Sequence, residues 1–180
     1  MIRRMCKQSK LDKAKAFVDK YHRGQTLKYT NLPYSNHLYE VYELLYKIKA
    51  EEDVQIGGLL HDLLEDTSAT EECIEKEFGK LVLSLVKEVT DVSRPEDGNR
   101  KIRKTLDLNH IALASKEGKT IKLADMISNS KSILQHDPSF ARLYLREMES
   151  LLSVVKEGDS QLYWEASRII NNGIEVLEEN

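Results

Sequence analysis

Apolar residues recur along this chain at intervals of three and four, the spacing that lines one face of an α-helix. Leu11, Ala14, Phe17, Val18 and Tyr21 mark the first stripe, which begins near Ser9. Residues 23–33 lack periodicity and contain Gly24, Asn31 and Pro33, so they read as a loop. A second stripe follows through Leu38, Val41, Leu44, Leu45 and Ile48, with His37 in its first turn. A third helix is expected from about Asp53 through His61-Asp62-Leu63-Leu64-Glu65-Asp66. Gly57 and Gly58 inside it would each cost about 1 kcal/mol relative to Ala, which points to close approach of another helix. Ser68 followed by Glu71 resembles a capping box for a short helix ending near Phe78-Gly79. Leu81, Val82, Leu85, Val86 and Val89 mark a longer one, and residues 93–99 form the clearest internal loop.

Beyond that loop, residues 100–116 read as helix with Gly118 as its C-terminal stop, and a further helix from about Lys119 carries Asp125. Asp137-Pro138 has the N-cap and first-position pattern of a new helix. Gly158-Asp159 separates it from a last one striped by Tyr163, Ala166, Ile169, Ile170, Ile174 and Leu177, with a frayed tail over residues 178–180. The pattern therefore predicts an all-α fold of about eight or nine helices.

Composition agrees with this pattern. Only 8 Gly and 3 Pro in 180 residues leave little turn chemistry for a many-stranded sheet, and no Pro-rich or Gly/Ser-rich linker divides the chain. One domain over residues 1–180 is expected. Cys6 and Cys73 match no metal-binding or redox spacing, which suits a reduced compartment, and neither is assigned a role. No apolar run approaches the roughly 20 residues of a membrane span, nor does the N-terminus read as a secretory signal, so a cytoplasmic location without a membrane partner is expected. A net charge of −3 argues against broad nucleic-acid binding. Any anionic substrate would be held by locally placed Lys and Arg.

The chemistry concentrates in the third helix. At about 100° per residue, His61, Asp62, Glu65 and Asp66 share one arc and Leu59, Leu60, Leu63 and Leu64 the other. Three carboxylates crowded around an imidazole repel one another unless a cation offsets them, although acidic residues also fill the wet face of ordinary amphipathic helices. Adjacent His61 and Asp62 would diverge by about 100° and need other elements to complete a shell. His37 and Asp125 are the candidates. His37 taken alone reads equally as a cap-region residue, and Asp125, in an apolar setting with Asn129 rather than a base at i+4, as a structural partner. Two histidines with two aspartates would suit Mn, Fe, Co, Ni or Zn more than Ca.

Four stretches occur in order: Tyr21-His22-Arg23-Gly24-Gln25-Thr26, Pro33-Tyr34-Ser35-Asn36-His37, Gly58-Leu59-Leu60-His61-Asp62-Leu63-Leu64-Glu65-Asp66-Thr67, and Lys122-Leu123-Ala124-Asp125 with Asn129. Together they resemble the hydrolase domain of the RelA/SpoT alarmone enzymes, within the HD superfamily, over about residues 10–135. The chain's length is similar to that of the stand-alone small alarmone hydrolases. The resemblance implies a helical HD bundle in which His37, His61, Asp62 and Asp125 bind manganese and Glu65 and Asp66 are catalytic. It implies removal of pyrophosphate from the ribose 3′ position of ppGpp or pppGpp, a small-molecule nucleotide, leaving GDP or GTP. Asn129 would face the nucleotide, with Ser132 nearby.

Between Gln25 and Pro33 the family commonly carries an Arg-Lys pair. Here Lys28 supplies the Lys, while Leu27 stands in place of the Arg and cannot give its planar cationic contacts. Base preference is thus left open between guanosine and adenosine alarmones such as ppApp. The basic run Arg100, Lys101, Arg103, Lys104 is read as phosphate-binding or as a solvated helix start, and Arg142 is a weaker candidate of the same kind. Two other readings stand beside this one. One is an HD nucleotide phosphohydrolase of different substrate, such as a nicotinamide dinucleotide 2′-phosphate. The other is a non-catalytic nucleotide-binding module, which predicts damaged ligands, and none is visible.

Overall fold

The structure is a computed structural model that describes residues 9–178. Cys6 and the last two residues of the expected tail lie outside the described residues. Ten α-helices occur among them: α1 (Lys10–Tyr21), α2 (Ser35–Lys47), α3 (Glu52–Leu60), α4 (Leu63–Asp66), α5 (Glu71–Phe78), α6 (Lys80–Val89), α7 (Arg100–Ala112), α8 (Lys116–His136), α9 (Pro138–Val154) and α10 (Ser160–Glu178). The number is nine if the single turn α4 is taken with α3. A 3-10 turn (Pro95–Asp97) lies in the loop expected over residues 93–99. The only extended pairing among the described residues is an isolated bridge between Thr26 and Pro33. No described helix is long and apolar enough to cross a membrane.

Local chemistry sets most helix starts. Ser9 caps α1 by accepting from the Asp12 amide at 3.0 Å, and Asp137 caps α9 by accepting from the Phe140 amide at 3.2 Å, with Pro138 in the first turn. Three boundaries differ from the pattern. The side-chain cap of α5 is Thr70, accepting from the Cys73 amide at 3.3 Å, rather than Ser68. Helix α7 ends at Ala112, and Gly118 is no stop, because Ser115 caps α8 by accepting from the Gly118 amide at 3.0 Å. Gly118 instead makes room: a Cβ there would lie 2.3 Å from Glu88 Oε2, which itself accepts from the Ser115 hydroxyl at 2.6 Å.

Two apolar clusters build the core. One joins α1, α3 and α5, and the other joins α8, α9 and α10; α2, α3 and α6 contribute to both. Helix α8 is central: between Gly118 and Ser128, every residue except Lys122 is buried. A helix enclosed on nearly all sides can present a polar residue only to another polar residue, which is why Asp125 and Ser128 on it mark a site. The tight packing expected at Gly57 and Gly58 is present. A Cβ on Gly58 would lie 2.3 Å from Leu45 Cδ1, and one on Gly57 2.9 Å from Ile121 Cδ1.

Gly58→Ala should therefore destabilise the protein. Ala gains about 1 kcal/mol in helix propensity, but forcing a methyl against fully buried Leu45 costs about 1–3 kcal/mol or more. A net loss of about 1–2 kcal/mol would lower Tm by roughly 2–8 °C in a scanning-calorimetry comparison. An unchanged Tm would mean that Leu45 yields freely.

Candidate metal centre

The helix expected to run unbroken through His61 and Asp62 is interrupted there. Asp62 has φ −91° and ψ 0°, in the bridge region, and regular helix resumes only at Leu63. The His61 ring explains the break, since its Nδ1 lies 2.8 Å from the Gly58 carbonyl that a continuous helix would give to the Asp62 amide. Instead of diverging, the neighbours converge: His61 Nε2 is 3.1 Å from Asp62 Oδ1. Leu59, Leu60 and Leu63 are fully buried, so the turn is anchored from beneath.

His37 enters from α2 and Asp125 from α8. His37 Nε2 lies 3.3 Å from Asp125 Oδ1 and 3.8 Å from Asp62 Oδ2, and His61 Nε2 lies 3.6 Å from Asp125 Oδ1. The two imidazoles are 5.2 Å apart between centroids. One donor atom from each of His37, His61 and Asp62 falls within 4.8 Å of the others, and the two His–Asp62 distances, 3.1 and 3.8 Å, are short enough for bonds of about 2.1 Å to a shared cation.

The hydrogen-bond network fits the residues to a cation. A carbonyl only accepts, so His61 carries a hydrogen on Nδ1 and directs Nε2 inward. That Nε2 is buried and hydrogen-bonds to neither carboxylate, although both flank it. Burial opposes charge on His61, yet Asp62 and Asp125 overcome it and raise its pKa to about 9. The excess negative charge that favours a proton on His61 is the charge that a cation would offset.

Further residues hold this group in place. The Tyr34 hydroxyl donates to Asp62 Oδ2 at 2.6 Å, and burial first and Asp62 second raise its pKa, so it stays a donor. Tyr34 stacks on buried His22 at 4.9 Å between centroids. Gln25 lies 2.6 Å from His22 Nδ1 and donates its amide to the Asp66 carbonyl at 2.7 Å. Asp125 Oδ1 accepts from Asn129 at 2.5 Å, and Asp125 Oδ2 lies 3.1 Å from Lys122 Nζ. Burial disfavours both charges, but their attraction prevails. The Asp125 pKa lies well below the usual range, and that of Lys122 is raised with further help from Asp91 and Glu65.

The centre opens on a cavity of about 710 Å³ lined by Asp62, Glu65, Asp66, Asp125 and Asn129, a size suited to a nucleotide. Glu65 meets the cavity as an open side chain, and its Oε1 accepts from the Asp91 amide at 2.7 Å. The surrounding protein first, and the Asp91 charge second, push its pKa up to about 7. Asp66 is raised as well, by burial and then by Asp62.

Candidate substrate contacts divide. Arg100 lines the cavity, but its guanidinium is engaged by Glu147 of α9 in two bonds of 2.7 and 2.8 Å. Lys28, Ser132 and Arg142 are not among the lining residues. Lys28 instead lies 3.4 Å from Asp137 and 5.7 Å from the Phe140 ring centroid. Lys104, given no separate role in the basic run, lines the cavity and pairs with Asp91 at 2.8 Å. Lys122 and Tyr34 also line it; both lie inside the four family-like stretches, and Lys122 is the partner of Asp125 at i−3 rather than i+4. Nothing in the sequence brings Asp91 to Glu65.

Residues 14–152 match the family model of the HD domain. The chain is 39% identical over 110 residues to a Drosophila melanogaster protein named guanosine-3′,5′-bis(diphosphate) 3′-pyrophosphohydrolase MESH1, and 35% identical over 108 residues to the Xenopus tropicalis protein of that name. Each alignment covers 59% of this chain, which spans 59% of each relative's length. A solved metazoan ortholog of SpoT, described as hydrolysing ppGpp, superposes with a TM-score of 0.82 at 28% identity, covering 92% of this chain and 96% of the other. The shared bundle and the family match over most of its length together establish that the chain belongs to the HD domain family.

Proposed function

We propose that this chain is a single HD-type domain that hydrolyses the 3′-pyrophosphate of a guanosine alarmone, converting ppGpp or pppGpp to GDP or GTP and pyrophosphate. The observation that carries the reading is the convergence of His37, His61, Asp62 and Asp125 at a cavity that also exposes Glu65 and Asp66. The activities for which the MESH1 relatives and the SpoT ortholog are named support it.

His37, His61, Asp62 and Asp125 would hold a divalent cation, and Mn²⁺ is the ion we propose. Such a cation supplies Lewis acidity toward a phosphoryl oxygen and makes water a better acid. Glu65, whose pKa lies near neutrality and whose carboxylate the Asp91 amide orients, takes the proton of the attacking water. Asp66, fixed through its own carbonyl by Gln25 and lining the same cavity, helps orient that water. Lys122 and Lys104 offset the substrate's phosphate charge within the cavity, and Asn129 positions the nucleotide. The Arg100–Glu147 pair makes the guanidinium available to a phosphate only if the substrate displaces Glu147.

Incubation of the Mn²⁺-loaded protein with ppGpp should release pyrophosphate, read by a coupled assay. Parallel reactions with ppApp and a nicotinamide dinucleotide 2′-phosphate test the base and the bond attacked. Release of orthophosphate in place of pyrophosphate, or no release from any substrate, overturns the proposal.

A further inference from the structure

The two imidazoles of the metal centre are held by different devices. His61 Nδ1 is fixed by a backbone carbonyl, whereas His37 Nδ1 lies 2.9 Å from the Ser128 hydroxyl of α8. That hydroxyl is in turn 2.7 Å from Glu40 Oε2, one turn along α2 from His37. A carboxylate only accepts, and a serine hydroxyl has a single hydrogen. The hydrogen of Ser128 therefore goes to Glu40, leaving an oxygen lone pair for His37 Nδ1–H. The chain of bonds has one direction, and it turns His37 Nε2 toward Asp62 and Asp125.

We infer that Ser128 and Glu40 are positioning residues that fix the tautomer and orientation of His37 and strengthen it as a metal donor. This rests on the metal-centre reading proposed above. The physical reason is polarisation. By drawing the Ser128 hydrogen toward itself, Glu40 makes the Ser128 oxygen a better acceptor, which adds electron density to the imidazole and basicity to Nε2. Ser128 is 4% exposed, while Glu40 is exposed, so the relay runs from the centre to the surface. Exposure of Glu40 also means that its replacement leaves the core untouched.

The test is a competition titration of Mn²⁺ against a chelator for wild type, Ser128→Ala, Ser128→Thr, Glu40→Ala and Asp62→Ala. It is paired with ¹⁵N NMR of the histidine rings in the metal-free proteins. Removing an outer partner of a metal-bound imidazole weakens metal affinity by about 10–100-fold, so Ser128→Ala should fall in that range and Glu40→Ala toward its lower end. Ser128→Thr, which keeps the hydroxyl, should recover most of the loss. The His37 Nδ1–H signal should be present in wild type and lost or redistributed in Ser128→Ala. Affinities within twofold of wild type for both Ser128→Ala and Glu40→Ala, in folded proteins, overturn the relay. If wild type binds no more metal than Asp62→Ala, the metal-centre reading falls instead, and the NMR comparison still decides whether Ser128 and Glu40 fix His37.

Discussion

Asp62→Ala is expected to lose metal binding and turnover together while leaving a folded protein. Asp62 faces both imidazoles, at 3.1 Å from His61 and 3.8 Å from His37, so its removal leaves a candidate shell with a single carboxylate. The loss of metal chemistry amounts to several kcal/mol of transition-state stabilisation, or roughly three orders of magnitude in rate at 1.36 kcal/mol per decade. Stability should not fall in parallel. The substitution ends the Tyr34 hydrogen bond, but it also relieves the repulsion between Asp62 and Asp66. The informative quantity is the metal-dependent rise in Tm. A ligand at 100 times its dissociation constant stabilises the native state by about 2.7 kcal/mol; wild type should show that rise with Mn²⁺ and Asp62→Ala should not. Asp62→Asn, which keeps an acceptor for Tyr34, separates the missing charge from the missing hydrogen bond. Metal content and turnover at wild-type levels in either variant would remove Asp62 from the centre.

The residues of this centre were readable from sequence to unequal degrees, for physical reasons. The helical stripes fixed which faces are apolar, and His61 with Asp62 stood out because so many acids on one turn need compensation. Their true geometry was hidden. Continuous helical periodicity predicts that adjacent side chains diverge, and the ring-to-carbonyl bond that breaks the helix is a contact, not a pattern. Gly118 misled in a similar way, since a glycine near a helix boundary has the same signature whether it ends one helix or admits Glu88 into the next. Asp125 has no base one turn ahead of it, and its partner, Lys122, sits three residues back. Ser128 and Glu40 gave no signal at all: a serine on a buried helix and an acid on another become a relay only when α2 and α8 pack together. Of the proposed substrate contacts, Arg100 reached the cavity but Lys28 did not, because loop and helix-start residues are placed by whichever acid meets them, here Glu147 and Asp137.

Glu65→Gln should have the converse effect to Asp62→Ala, with metal affinity retained within about threefold and turnover reduced by about 10²–10⁴, the usual contribution of a positioned proton acceptor. Gln matches Glu in size, and its carbonyl can still accept from the Asp91 amide, so the geometry survives while the basic group is lost. The pH dependence follows from the direction of the shift. Glu65 must be ionised to accept a proton, and its pKa in the metal-free protein is raised from 4.5 to about 7. Wild-type turnover should therefore rise with pH, with its midpoint at or below 7, because a cation bound nearby favours the carboxylate. Glu65→Gln should lack that limb. Stability supplies an independent sign. A folded-state pKa above the unfolded one means that the native protein binds the proton more tightly, so this contribution is full below about 4.5 and is lost as pH rises through about 7. Metal-free wild type should thus lose Tm relative to metal-free Glu65→Gln across that interval, by a modest amount because the side chain is open to the cavity. Loss of the metal with this substitution would move Glu65 into the coordination shell, and a retained ascending pH limb would assign the proton to another group, for which Asp66, also raised by burial and by Asp62, is the candidate.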